Sequence, residues 1–190
     1  QGGGGTTGNR VKLVRPNSLP YFTGGSRQNF SVCEDQGPFD IGTFVAVTDS
    51  DRVQTETWTM GAWTPLHGTV SATGTMAATG GNLIPVGRSY TPTPGYVGTD
   101  SFIVTVSDGY NTASDTLIVT VNPLPVVPAT TGLNTVCEAS TIVLSNAAGG
   151  GTWTASNGNA TVVGGTVSGV TAGTVDISYT VTNACGPRTV

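Results

Sequence analysis

The sequence has 190 residues, of which 28 are Gly, 11 are Pro and only 9% are charged, for a net charge of −4. Seven Lys and Arg in all are too few and too scattered to neutralise a row of phosphates, which excludes nucleic acid as a partner. Apolar runs are strand-length and far short of a membrane span, so membrane insertion is not expected, and continuous runs of strong helix formers are missing.

In chain order, Gly2 to Gly5 read as flexible backbone, and Arg10-Val11-Lys12-Leu13-Val14-Arg15 alternates as a strand before Asn17-Ser18-Leu19-Pro20. Further strands are predicted at Phe44–Val47, Thr55–Met60, Ser101–Val106 and Leu117–Val121. Ser107-Asp108-Gly109-Tyr110-Asn111 joins the last two as a hairpin turn. After Asn122-Pro123-Leu124-Pro125 come Thr141–Leu144, Gly151–Thr154 and Val175–Val181. Gly, Pro, Asn and Asp punctuate the runs, and no segment keeps a helical period. The fold class is all-β, as sandwiches.

An N-x-L-P element followed by a V-C-E element occurs twice, at Asn17–Pro20 with Val32-Cys33-Glu34 and at Asn122–Pro125 with Val136-Cys137-Glu138. The second N-x-L-P follows a final strand, so it links two domains; by analogy the first does the same. The expected organisation is an N-terminal extension over 1–27 with an orphan strand at about 10–15, a sandwich over 28–122, and a shorter one over 123–190 lacking its last strand. Either the chain is a fragment of a longer array, or its two ends complement each other between neighbouring copies. In the second case Val11 and Leu13 are the strand donor's core residues, and the contact is heterologous, as filaments require.

Three cysteines in such a chain suit an oxidising, extracellular compartment, with one pair and one left over. Cys137 precedes an early strand of the second domain and Cys185 follows its penultimate strand, so these two are expected to bond and Cys33 to stay free. No CxxC or Cys/His cluster suggests zinc.

Several motifs in order, Val45-Ala46-Val47-Thr48-Asp49-Ser50-Asp51, Leu66-His67-Gly68-Thr69-Val70, Tyr90 to Phe102 and Val106-Ser107-Asp108-Gly109, resemble cadherin-like, bacterial Ig-like tandem repeats. Residues 124–190 are similar to a second, shorter Ig-like repeat type. The resemblance implies a rod of Ig-like domains in a secreted surface protein, notably of Bacteroidota, that works as a stalk, filament or adhesin. In cadherin-like domains the positions matching Asp49, Asp51 and Asp108 bind calcium, the one cofactor the resemblance offers; hard carboxylate oxygens suit that ion. Against it, the N-S-L-P and N-P-L-P linkers depart from the family's ligand-rich linker, and Asp residues also cap turns with no ion present.

Trp58 and Trp153 fall at alternate strand positions, where a large aromatic fills a core, which leaves Trp63 as the exposed candidate for sugar stacking. His67 has no convincing nucleophile beside it, and the glycine clusters lack the Gly-Lys-Ser/Thr ending of a phosphate loop. The expectation is a non-enzymatic extracellular structural protein at the cell surface whose partners are neighbouring copies or repeats of itself. The rival is an adhesion module whose loops bind a glycan or a host protein.

Overall fold

A computed structural model describes residues 16–190. The orphan strand, with Val11 and Leu13, lies outside the described residues.

The first sandwich uses eleven strands: β1 (Tyr21–Phe22), β2 (Arg27–Cys33), β3 (Phe39–Asp40), β4 (Val47–Thr48), β5 (Thr55–Met60), β6 (Gly68–Ser71), β7 (Gly74–Ala77), β8 (Asn82–Leu83), β9 (Ser89–Pro92), β10 (Gly98–Ser107) and β11 (Thr112–Asn122). One face is the five-stranded sheet β2-β11-β10-β5-β7; the other is made of β1-β4-β8 and β3-β9-β6. Alternation sets the facing: Asp100, Phe102, Val104 and Val106 of β10 point inward, as do Asp115, Leu117, Val119 and Val121 of β11. β10 and β11 pair antiparallel over ten residues, and β11 also pairs parallel with β2, from Thr116↔Arg27 to Asn122↔Cys33. The last strand is thus held on both edges.

Between the faces Tyr90 stacks on Phe102 at 5.8 Å, and Trp58 is fully buried with its indole N–H donating to Val45 O at 2.9 Å. The expected strand at Phe44–Val47 is mostly a turn. Phe44 N and Val45 N both donate to Ile41 O, and only Val47 and Thr48 join a sheet. The apolar run at 44–47 comes from a tightly wound segment buried under the core, which hydropathy alone does not separate from a strand.

The second sandwich has β12 (Thr141–Val143), β13 (Thr152–Ala155), β14 (Ala160–Val163), β15 (Thr166–Gly169), β16 (Ile177–Asn183) and β17 (Gly186–Thr189) in two sheets, β12-β15-β14 and β13-β16-β17. Its core is thin: Ala160, Val167 and Tyr179 are the buried hydrophobic residues here among those described, against Trp58, Tyr90, Phe102 and many more in the first sandwich. The Tyr179 hydroxyl donates to Ala148 O and accepts from Gly151 N, and Trp153 packs on its ring at 4.7 Å. A Cβ on Gly151 would lie 2.4 Å from that ring, so only glycine lets the strand pass so close. The final strand expected to be missing is present in part. β17 pairs with β16 from Thr180 to Asn183, and Val190 exchanges two backbone bonds with Tyr179.

Candidate functional site at the junction between the sandwiches

β2 and β11 end side by side at Cys33 and Asn122, and the β16–β17 turn of the second sandwich meets them there. Cys33 and Cys185 form a disulfide with Cα atoms 5.4 Å apart. The predicted Cys137–Cys185 bond is therefore corrected: Cys137 is the free, exposed cysteine. The physical reason is polarity along the strands. The V-C-E element of the first sandwich runs parallel to its last strand, so Cys33 sits at the exit of that sandwich. Cys185 lies in the turn at the entrance of the next. Cys137 stands beside Gly169, where Ala139 N donates to Gly169 O, away from that turn.

Hydrogen bonds complete the clasp. Leu124 N donates to the Glu34 carboxylate at 2.7 Å, Asn183 Nδ2 donates to Pro123 O at 2.8 Å, and Cys185 N donates to Asn183 Oδ1 at 2.8 Å. The linker Asn122–Pro125 is gripped from both sides, by Glu34 behind it and by the turn ahead of it. In the sequence Glu34 stood out only as the last residue of the V-C-E element.

The other end of the first sandwich holds Asp49, Asp51 and Asp108, gathered around Asn17-Ser18. Asn17 Nδ2 donates to Asp108 Oδ2 at 2.8 Å, Ser18 N donates to Asp51 Oδ2 at 2.7 Å, and Asp51 N donates to Asp49 Oδ1 at 2.8 Å. Asp108 Oδ1 also accepts from Tyr110 N and Asn111 N. Burial raises the Asp108 carboxyl, but the donors on Asn111, Asn17 and Tyr110 outweigh it and hold it below the ordinary carboxylate range. Both Asp108 oxygens are committed to N–H donors. Among the described residues no group of three or more His, Cys, Asp or Glu is arranged to hold a metal ion, so the residues present do not form a calcium cage.

Beneath this cluster lies Glu56, which sequence reasoning missed although it shares strand parity with the inward Trp58. Glu56 is fully buried, and neither carboxylate oxygen has a partner; Asp49 Oδ2 is unpartnered as well. Burial first, and Asp49 next, push Glu56 up to about 7. Asp115 is a second buried acid, raised to about 6 by burial against the opposing bonds of Gln28 and Thr116.

Trp63 is 63% exposed and lines an open cleft with Leu66, His67 and Asp100. The His67 ring stacks on Tyr96 at 3.9 Å, and the Asp100 carboxylate accepts from Leu66 N, His67 N and the Tyr90 hydroxyl. These bonds use Asp100 to fix the loop, and burial raises the Tyr90 hydroxyl first, with Asp100 adding to it.

Residues 17–122 match the family described as the bacterial Ig domain, Big_9. No curated protein matches the sequence. Among solved structures, an endo-fucoidan hydrolase of glycoside hydrolase family 107 is 11% identical with a TM-score of 0.37, and a point variant of it is 13% identical at 0.38. Each alignment covers 93% of this chain but 28% of the other, so the chain spans less than a third of those proteins. A likeness that distant assigns nothing here.

Proposed function

Since the chain belongs to the bacterial Ig domain family, we propose that it is a non-enzymatic structural unit of an extracellular bacterial filament or stalk, joined head to tail with further copies or repeats. The observation that carries this reading is the Cys33–Cys185 bond across the linker. A disulfide inside one sandwich would stabilise that sandwich; this one instead fixes one sandwich on the next, which serves a unit that must transmit force or hold direction. Proline at 123 and 125 restricts the backbone of the same linker, so the two sandwiches form a stiff, extended rod. An oxidising compartment outside the cell lets the bond persist. The test is electron microscopy of the purified full chain at rising concentration in oxidising buffer: ordered polymers support the reading, and dispersed particles at every concentration overturn it.

A second reading, adhesion, rests on Trp63 and Leu66, which is 85% exposed beside it. An aromatic face next to the His67–Tyr96 stack offers a shelf for a sugar ring. Binding on a glycan array that is lost in Trp63→Ala would support adhesion; an unchanged array pattern would remove it.

A further inference from the structure

Between β5 and β6 the chain runs back along the first half of β10 as a loop that is tied down at both ends. Gly61 N donates to Ile103 O at 2.7 Å, and Ile103 N donates to Trp63 O at 2.9 Å. A Cβ on Gly61 would lie 2.4 Å from Ile103 Cγ2, so glycine lets the loop lie against the strand. At the other end the buried Asp100 commits both oxygens. Its Oδ1 accepts from Leu66 N at 3.0 Å and Ser101 N at 2.9 Å. Its Oδ2 accepts from His67 N at 3.0 Å and the Tyr90 hydroxyl at 2.9 Å. His67 O in turn accepts from Thr93 N at 2.8 Å.

This fixed backbone holds large side chains out in water. Trp58, Tyr90 and Phe102 are wholly buried and belong to the core, but Trp63 and Leu66 are exposed and add nothing to it. An apolar surface on a loop already ordered binds a ligand without the entropy cost of fixing that loop.

We propose that the cleft formed by Trp63, Leu66, His67 and Asp100 is a binding site for a neutral glycan, with one pyranose ring lying on the Trp63 indole. The inference rests on the adhesion reading above and names its ligand class; the filament reading does not depend on it. Charge argues for a neutral ligand. No Lys or Arg lines the cleft, and a carboxylate, Asp100, stands in its wall. His67, the one side chain there able to become a cation, lies flat on Tyr96. With a net charge of −4 on the chain as well, an acidic sugar would meet repulsion without a fixed partner.

The walls argue for a sugar. A pyranose with equatorial hydroxyls presents axial C–H groups on its face and hydroxyls around its edge. The indole takes the face, and the hydroxyl side chains of Thr64, Thr99 and Ser101, which line the same cleft, suit the edge. The cleft holds about 450 Å³, within the roughly 300–1,000 Å³ of small-ligand sites. A proline-rich peptide also stacks on tryptophan, but it needs an aromatic groove long enough for successive turns. Here His67 covers one face of Tyr96, and Trp63 is the one exposed tryptophan among the described residues.

The test uses the full chain and the emission of Trp63 under iodide quenching, to which the buried Trp58 is inaccessible. Neutral β-linked glucose, mannose and galactose tetrasaccharides are titrated at low and high salt, beside uronic-acid and sulfated oligosaccharides and a proline-rich peptide. The expected result is saturable shielding of Trp63 by a neutral member, with an affinity that salt leaves unchanged. Trp63→Ala should weaken it about tenfold or more, and Trp63→Phe should restore part of the loss, since a smaller ring still stacks. Ser101→Ala, which leaves the indole in place, should weaken binding by a smaller factor. Unchanged melting curves for the three variants show that the sandwich itself is intact. Binding confined to the acidic sugars, falling with salt and lost in Trp63→Ala, would overturn the neutral class and leave adhesion standing. Binding of the peptide alone would overturn the sugar. If no sugar or peptide shields Trp63, the adhesion reading and this inference fail together.

Discussion

Cys33, the last residue of β2, is bonded to Cys185 in the β16–β17 turn, 152 positions later, and so joins the exit of one sandwich to the entrance of the next. The bond spans two cores of unequal size, so its removal acts unequally. In the loop-entropy account a closure of this length is worth about 5 kcal/mol if both cores unfold together. Cys33→Ser or Cys185→Ser is expected to lower the melting temperature of the small second sandwich and to leave the first nearly unchanged. The same change should open residues 123–128 to limited proteolysis. Equal rates of cleavage in the oxidised and substituted proteins would show that the bond does not restrain the junction.

Glu56 sets the pH response of the first sandwich. Its folded value is about 7, against 4.5 for a free glutamate, so between those values the folded state holds a proton the unfolded chain has lost. Stability contributed by protonated Glu56 is full below about pH 4.5 and is lost as pH rises through about 7. Asp115, raised to about 6, acts in the same direction over an overlapping window. Thermal melts should therefore fall from pH 5 to pH 7.5, and Glu56→Gln should flatten the fall and raise stability at pH 7.5 by roughly 1–3 kcal/mol, read as a higher melting temperature. Millimolar calcium is expected to leave the curve where it is; an upward shift that Glu56→Gln abolishes would mean a cation replaces the proton.

Gly151 and Tyr179 control the second sandwich. Adding a methyl at Gly151 drives it into the Tyr179 ring and against Thr180 O at 2.7 Å. Gly151→Ala should cost about 2 kcal/mol or more, comparable to overpacking a core. Tyr179→Phe keeps the ring and removes its bonds to Ala148 O and Gly151 N, at about 1–2 kcal/mol. Chemical denaturation read at Trp153, which packs on Tyr179, separates the two. A silent Gly151→Ala would mean that the ring moves aside freely.

Strands whose inner and outer faces differ sharply were legible in the sequence. Thr55–Met60 matches β5 residue for residue, and β10 and β11 extend the expected runs at both ends. β2 was not, because Arg27-Gln28-Asn29-Phe30-Ser31-Val32-Cys33 carries only two strongly apolar inward residues, and its place is set by a parallel partner almost ninety positions away. Asp49, Asp51 and Asp108 lie at one end of the first sandwich around Asn17-Ser18, where turn acids converge whatever their task. Their ligands were not legible: backbone and amide donors from Asn17, Ser18, Tyr110 and Asn111 leave no signature in composition. The cysteine pairing failed for a different reason. Local reasoning prefers partners inside one domain, and only the parallel course of β2 along β11 reveals that Cys33 faces the next one.

The contact of Asp108 with Asn17 gives the last prediction, because it separates holding the linker from holding the turn. Asp108 Oδ1 serves the turn through Tyr110 N and Asn111 N, while Oδ2 serves the linker through Asn17 Nδ2. Asn17→Ala removes the linker's side-chain bonds to Asp108 and Gln54 and leaves the turn's own bonds in place, so the melting temperature of the first sandwich should barely change while residues before Leu19 become more accessible to protease. Asp108→Ala removes all three bonds and leaves two backbone donors of the β10–β11 turn without their acceptor, at about 2–3 kcal/mol. Asp108→Asn keeps one oxygen for the turn and should fall between them. Hydrogen exchange at Tyr110 and Asn111 reads the turn directly. Fast exchange there in Asn17→Ala would mean that the linker, and not the aspartate, orders the turn.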